Sequence, residues 1–265
     1  SLELTRSVGG SVTGSLLGEI DRCQTAAGRR LLAEDISAPL TERSAIEQRL
    51  ALVAWLHEDA IRRERVRSAL KAMPDFARAL ARLAAGRGSP RDLALLRDGL
   101  GAADALKREL ESEAERPQLL ESLLPRLGGH GPLVERLLRA LVESPPIDPA
   151  KGGYIAEGYD SDLDTLREAA SNGRRAIAAL ESRYRDSTGI SSLKIRHNAV
   201  LGYHVEVSGK HAERLMAPDS GFIHRQTLAG VVRFNSPELH EEASRVVEAG
   251  AHALAAEAAH AEELT

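Results

Sequence analysis

The chain has 265 residues, 43% hydrophobic and 28% charged, with a formal net charge of −4, long enough to bury a core and form one or two domains. Its single cysteine, Cys23, excludes an internal disulfide and fits a reducing compartment; no run approaches the roughly 18 apolar residues of a membrane span and no signal peptide opens at Ser1, so a cytoplasmic protein without membrane association is expected. Aromatics at 3%, beside abundant Ala, Leu, Arg and Glu, predict a mainly α fold.

Residues 1 to about 155 read as short and medium helices punctuated by Gly and Pro. Leu16, Leu17 and Ile20, then Leu31 and Leu32, lie on helical faces, with Gly28 between them tolerated or used for close packing and Cys23 a small apolar helical residue. Pro39 ends that helix. Ile46, Leu50, Val53 and Leu56, extended by Ala60, form an apolar stripe, and Trp55 beside it is a core or edge anchor. Ser89-Pro90-Arg91-Asp92 is a helix start, with serine at the cap, proline first and an acid third, leading into Leu93, Leu96 and Leu100. Another helix spans roughly 133–142, and Pro145 to Gly158 is an extended connector.

From Tyr159 the period changes twice. Leu163, Leu166, Ala170, Gly173, Ile177, Leu180 and Tyr184 alternate spacings of three and four, the seam of a helix packed along a partner. Acids crowd its start (Asp160, Asp162, Asp164) and Arg183 and Arg185 its end, matching the helix dipole. Roughly 28 residues would span about 42 Å at ~1.5 Å each. Past Thr188-Gly189 the pattern alternates: Leu193 and Ile195 share one face, Tyr203, Val205 and Val207 another strand's face, with Asn198 at the turn and Gly202 marking a bulge or bend. A third β piece spans Phe222 to Phe234, broken by Gly230. Ser236-Pro237-Glu238 starts the last helix, whose seam reads Leu239, Ala243, Val246, then Val247, Ala251, Leu254 and Ala258, and whose natural partner is the helix from Tyr159. The expected architecture is a multi-helical core with a two-helix stalk carrying a small inserted β-sheet.

Between Thr188 and Asn235 lie six basic residues and three acidic ones, a local +3 that leaves −7 for the rest. A basic tip on an acidic body points to a polyanion, most often nucleic-acid phosphate; a β module with merely solvating charges fits the composition as well. Catalytic signatures are missing. Gly10-Ser11-Val12-Thr13-Gly14-Ser15 lacks the spacing and lysine of a phosphate loop, and His240-Glu241-Glu242-Ala243-Ser244 lacks the second histidine of a zinc helix. His197, His204 and His211, at odd spacing on alternating faces, favour structural or phosphate-facing roles over a metal cluster. No nucleophile, base and oxyanion set can be assembled, so the chain by itself is not expected to be an enzyme.

The order of segments resembles the MutS family of bacterial DNA mismatch-repair proteins. Leu2-Glu3-Leu4-Thr5, Gly14-Ser15-Leu16-Leu17, Ala27-Gly28-Arg29-Arg30-Leu31-Leu32 and Pro39-Leu40 look like the opening of its core domain. Ile46-Glu47-Gln48-Arg49-Leu50, Gly88-Ser89-Pro90-Arg91-Asp92-Leu93, Gly158-Tyr159-Asp160, Thr188-Gly189-Ile190, Gly202-Tyr203, Glu206-Val207, Arg225-Gln226-Thr227-Leu228 and Pro237-Glu238-Leu239 continue it colinearly across the whole chain. The resemblance implies a helical core that bases the lever (1–158), a long lever helix (159–187), a β clamp (188–235) that closes on double-stranded DNA, and a returning lever helix (236–265). It implies backbone contact without sequence readout, for which Lys194, Arg196, His197, Asn198, Lys210, Arg225 and Arg233 are the candidates; Arg225 and Gln226 could equally tie strands together. No Phe-x-Glu mismatch reader occurs here. The resemblance places ATP and Mg in an ATPase domain expected after Thr265, with no cofactor in this chain, and implies self-association of the full-length protein, a MutL-type partner and a nucleoid-associated location. Two departures stand out: Ala229-Gly230 where the family commonly has Lys-Asn, and Arg196-His197 before Asn198 where it usually carries an aromatic. The alternative is a helical scaffold of a MutS relative that binds protein partners and does not read mismatches.

Overall fold

The structure is a computed structural model that describes residues 2–265. It is mainly helical with one small antiparallel sheet, as composition and period predict. The chain forms two compact units, one running to Ala156 and including Ala261–Thr265, the other Glu157–His260.

The first unit contains α1 (Leu16–Ile20), α2 (Ala26–Ser37), α3 (Arg43–Glu58), α4 (Ala60–Ala72), α5 (Phe76–Ala84), α6 (Pro90–Glu111), α7 (Gln118–Leu123) and α8 (Gly131–Ala140). α6 supplies much of its core, burying Leu93, Leu96, Ala103, Leu106 and Leu110 at helical spacing. It begins where the sequence predicts: Ser89 is the cap, Pro90 follows, and the Asp92 carboxylate accepts the amide and the hydroxyl of Ser89, each at 2.9 Å. Arg82 of α5 donates Nε–H to the same carboxylate at 3.0 Å, so one side chain joins a helix start to its neighbour. Burial pushes the Asp92 carboxyl up, but the hydrogen bonds from Arg82 and Ser89 outweigh it and hold the group below the usual carboxylate range. The connector after α8 is pinned at Tyr154, whose carbonyl accepts the Val142 amide at 3.0 Å, and at Ala156, whose amide donates to Ala140 at 2.8 Å.

Two expectations are corrected in this unit. On α3 the buried residue is Trp55, packed with Leu106, Leu110, Leu120 and Leu124 and flanked by Leu52 and Leu56, with the Arg62 guanidinium 4.0 Å from its ring centre. Ile46, Leu50 and Val53 face solvent at 37%, 60% and 62% exposure. Two apolar stripes adjoin on this helix, and the one carrying the large indole turns inward because it removes more area from water. Cys23 lies exposed in the connection between α1 and α2 rather than on a helix; there the Asp21 carboxylate accepts the Cys23 amide at 3.0 Å and holds the turn.

The second unit contains α9 (Ser161–Thr188), β1 (Lys194–Asn198), β2 (Gly202–Ser208), α10 (Ala212–Met216), β3 (Ile223–Leu228), β4 (Val231–Asn235) and most of α11 (Pro237–Glu263). Asp160 caps α9, its Oδ1 accepting the amides of Asp162 and Leu163 at 2.8 and 3.3 Å. The heptad seam is as predicted, with Leu163, Ala170, Gly173, Ile177 and Leu180 buried. α9 and α11 run antiparallel in one register: Asp160 meets His260 at 2.6 Å, Arg167 meets Glu257 at 2.7 Å, and Arg183 pairs with Glu238. Between them the helices approach tightly at Gly173, where an added Cβ would lie 2.5 Å from Cγ2 of Val246.

The α11 seam departs from expectation beyond Val246. Ala253 and Glu257 are buried, whereas Val247 and Leu254 are 59% and 41% exposed. A carboxylate at a seam position is invisible to an apolar pattern; Glu257 is tolerated there because Arg167 meets it, so the true row sits one residue round the helix from the apparent one. The third β piece is likewise two strands, β3 and β4, joined by Ala229-Gly230. The sheet order is β1-β2-β4-β3, all antiparallel. Gly202 ends the loop after Asn198 and opens β2, and the bulge lies instead in β3, between His224 and Gln226. One sheet face packs Val205, Val207, Val232 and Phe234 against Ile177, Leu180, Leu215 and Leu239. Edge strand β1 is tied to the last turns of α9, where Glu181 accepts the Ile195 amide and Arg185 donates to the Leu193 carbonyl, both at 2.7 Å.

Because the folded Asp92 carboxyl is depressed, its contribution is complete above the unfolded carboxylate value near ~3.9 and is lost as pH falls through the lower folded value. Asp92→Asn is expected to destabilise by about 1–2 kcal/mol at neutral pH, with the gap to wild type closing below pH ~4. Urea unfolding followed by the single tryptophan, Trp55, measures this; a gap constant into acid would contradict it.

Gly173→Ala sets overpacking of about 1–3 kcal/mol against roughly 1 kcal/mol of helix propensity, and a net loss is expected. In a Val246→Ala background the obstructing methyl is gone, and the same substitution should stabilise by up to ~1 kcal/mol. Denaturation of the four proteins reads the sign change; simple additivity would mean that the two positions do not touch.

Candidate nucleic-acid interface

Strand alternation sorts the sheet into two faces. Ile195, Tyr203, Val205, Val207, Val232 and Phe234 share the face packed on the helices. The cross-strand pairs Lys194↔Glu206, Arg196↔His204, Glu206↔Arg233 and Gln226↔Arg233 share the other. Charge therefore collects on the face turned away from the core.

The seven candidate residues separate into two sets. Lys194 and Arg196 are exposed on the outer face of β1. Arg225 is the unpaired residue of the β3 bulge and is exposed. Lys210 is exposed in the short 3-10 turn Gly209–His211 after β2, next to the β3–β4 loop, since the Gly209 amide donates to the Gly230 carbonyl at 3.1 Å. Among the described residues these four cations form no ion pair.

The other three have structural partners. Arg233 donates Nε–H to Glu206 at 3.2 Å and Nη1–H to Gln226 at 3.0 Å, a row that crosses three strands. Asn198 holds the β1–β2 loop, its Oδ1 accepting the amides of Val200 and Leu201 at 2.9 and 2.8 Å. His197 lies on the inner-face side of β1 with its ring 4.8 Å from that of Tyr203. The sequence flagged all seven by residue type; only register and bonding tell the two sets apart.

Three further side chains shape this segment, among them His204, for which the sequence allows a structural role. Glu206, one of three acids in a basic segment, is the carboxylate that engages Arg233. His204 is buried although it lies on the outer side of β2; its Nδ1 is 3.0 Å from the Gly202 carbonyl and its Nε2 3.9 Å from Glu206. Arg214, counted in the local charge, donates to the Thr188 carbonyl at 2.7 Å and so braces the end of α9. Among the described residues no three His, Cys, Asp or Glu side chains converge as a metal site, and no helix is long and apolar enough to cross a membrane.

The profile of MutS domain III matches residues 1–264. A DNA mismatch repair protein MutS from Erythrobacter litoralis is 60% identical over 264 residues, 100% of this chain and 30% of the relative. This chain belongs to the MutS domain III family. MutS relatives from Zymomonas mobilis (56% identical, 98% of this chain and 30% of the relative) and Rhodopseudomonas palustris (49%, 97% and 28%) extend the similarity. The chain spans about 30% of the length of the first of these MutS proteins.

Within this MutS domain III, the departure at Ala229-Gly230 has a local explanation. The loop between Leu228 and Val231 has only two residues, and its second has φ +81°. Glycine and asparagine are the residues that accept such a φ, so Gly230 preserves the turn while Ala229 leaves it uncharged. Lys210 adjoins the loop across the Gly209–Gly230 hydrogen bond.

Arg233→Ala should destabilise the sheet by about 1–2 kcal/mol, because Glu206 and Gln226 lose a half-buried partner, whereas Arg196→Ala should stay within ~0.5 kcal/mol of wild type. Thermal unfolding of the two variants makes the comparison; equal losses would mean that Arg196 also holds the sheet together.

Proposed function

We propose that this MutS domain III grips double-stranded DNA by its sugar-phosphate backbone, through Lys194 and Arg196 on the outer face of the sheet and Lys210 and Arg225 at its margins. The observation that carries this reading is the set of four exposed cations without ion pairs, on a segment of charge +3 in a chain of charge −4. Phosphate contact of this kind is independent of sequence and sensitive to salt. The sheet's aromatics support the same reading: Tyr203 and Phe234 lie on the packed face, where they cannot stack on bases. No helix presents itself to a major groove in this segment; the one between the strands, α10, has five residues.

In this reading the sheet is a clamp, and the paired α9 and α11 are a lever that relates DNA contact to an ATPase carried elsewhere in the full-length protein. A helix pair held in one register from Asp160–His260 to Arg183–Glu238 moves more readily as a body than by internal slippage. ATP and Mg, self-association and engagement of a MutL-type partner belong in this proposal to that full-length protein, which acts in mismatch repair.

Fluorescence anisotropy of a labelled duplex, titrated with the chain across a salt series, tests the grip. Affinity should fall steeply with salt and be similar for unrelated duplex sequences. Lys194→Glu with Arg196→Glu should weaken low-salt binding at least tenfold and lower the magnitude of the log–log salt slope by about 2, near ~0.9 per lost phosphate contact. Binding unchanged by this double reversal would favour the protein-binding scaffold.

A further inference from the structure

The first unit carries a groove remote in sequence from the sheet. Its aliphatic lining comes from Val53 and Leu56 of α3 and Val66 and Leu70 of α4. The cavity holds about 410 Å³, within the ~300–1,000 Å³ of natural binding pockets. Its charged lining is cationic: Arg22, Arg63 and Arg67 line it, and no carboxylate does.

These arginines are placed by backbone contacts. Arg63 donates to the carbonyls of Leu56 and His57 at 3.1 and 2.8 Å, where α3 ends, and Arg67 donates to the carbonyl of Arg22 at 3.3 Å. Among the described residues none of the three guanidinium groups forms an ion pair, although arginines nearby do, Arg29 with Asp21 and Arg62 with Glu113. Each keeps N–H donors for an anion. The apolar surface also continues past the cavity, since Ile46, Leu50 and Val53 form an exposed ridge along about 10 Å of α3 at ~1.5 Å per residue.

We propose that this groove and ridge dock an acidic protein segment with apolar anchors. Its aliphatic or aromatic side chains seat between α3 and α4, and its flanking carboxylates meet Arg22, Arg63 and Arg67 in charge-assisted pairs. Charge complementarity selects this occupant. A second copy placing the same surface across a two-fold axis would bring the three arginines against one another. The ridge extends the apolar surface beyond what a small amphiphile would cover.

The test uses the 265-residue chain and a fluorescein-labelled synthetic helix with leucines at i, i+3, i+4 and i+7 and glutamates on both flanks. Two controls replace the glutamates by lysines or the leucines by serines. Saturable binding of the acidic leucine helix is expected, at least tenfold tighter than either control. Arg22→Glu and Val53→Asp, both at exposed positions, should each weaken it about tenfold while leaving the circular dichroism and thermal midpoint unchanged. A bimane label on Cys23, the single cysteine and a lining residue of the groove, should report the same saturation. Equal binding of the three helices, no binding, or indifference to both substitutions would overturn the proposal. So would sedimentation showing a dimer that Val53→Asp abolishes, which assigns the surface to a second copy. Decanoate shifting the bimane emission when no helix binds would assign it to a small amphiphile and overturn the proposal equally.

Discussion

Close approach of two backbones at Gly173 and Val246 is the constraint on which the second unit depends. With a hydrogen in place of a side chain on α9, α11 can lie near enough for Leu163, Ala170, Ile177 and Leu180 to be buried along one side. That proximity sets the register, and the register sets everything at the sheet end. It places Leu239 and Val246 beneath the strands, together with Ile177 and Leu180, so the sheet and the helix pair share a single hydrophobic core. Tyr184 and Ser236, hydrogen-bonded to each other, mark where the two chain directions join that core. The alignment of the pair therefore has a packing origin, and the ionic contacts at Arg167 and Asp160 refine what shape already favours.

How much of this was readable beforehand depended on whether local chemistry and tertiary packing asked for the same residue. The α9 seam was legible because its small and apolar residues recur without interruption, and the α6 start because serine, proline and an acid occur in the order that a helix N-terminus requires. The α11 seam was misread at Glu257, since a charged side chain enters a packed row only through a partner 90 residues away in sequence. α3 offered two plausible stripes, and the choice between them lay with α4, α6 and α7, not with α3 itself. On the sheet, residue type could not tell Arg233, bonded to Glu206 and Gln226, from Arg196, which meets solvent. That difference arises from strand order, because β4 lies between β2 and β3 while β1 is an edge.

The outer sheet face thus divides labour among residues of the same kind. The interior arginine gives its donors to neighbouring strands and ties them together. The edge and bulge cations keep theirs for solvent. The cohesion of such a surface does not depend on what its outward cations meet, because the groups that hold the strands and the groups offered outward are different.

Edge strands bring a hazard that the same arrangement removes. A small sheet with two open edges offers unpaired amides and carbonyls to any passing strand, and edge-to-edge addition is a route to aggregation. Here α9 reaches over to one edge, with Glu181 taking the Ile195 amide and Arg185 the Leu193 carbonyl, and the other edge is broken by the bulge at Arg225. Lys194, Arg196 and Arg225 add like-charge repulsion against a second copy of the same strands. Positive charge at both edges thereby also opposes edge-to-edge pairing of these sheets.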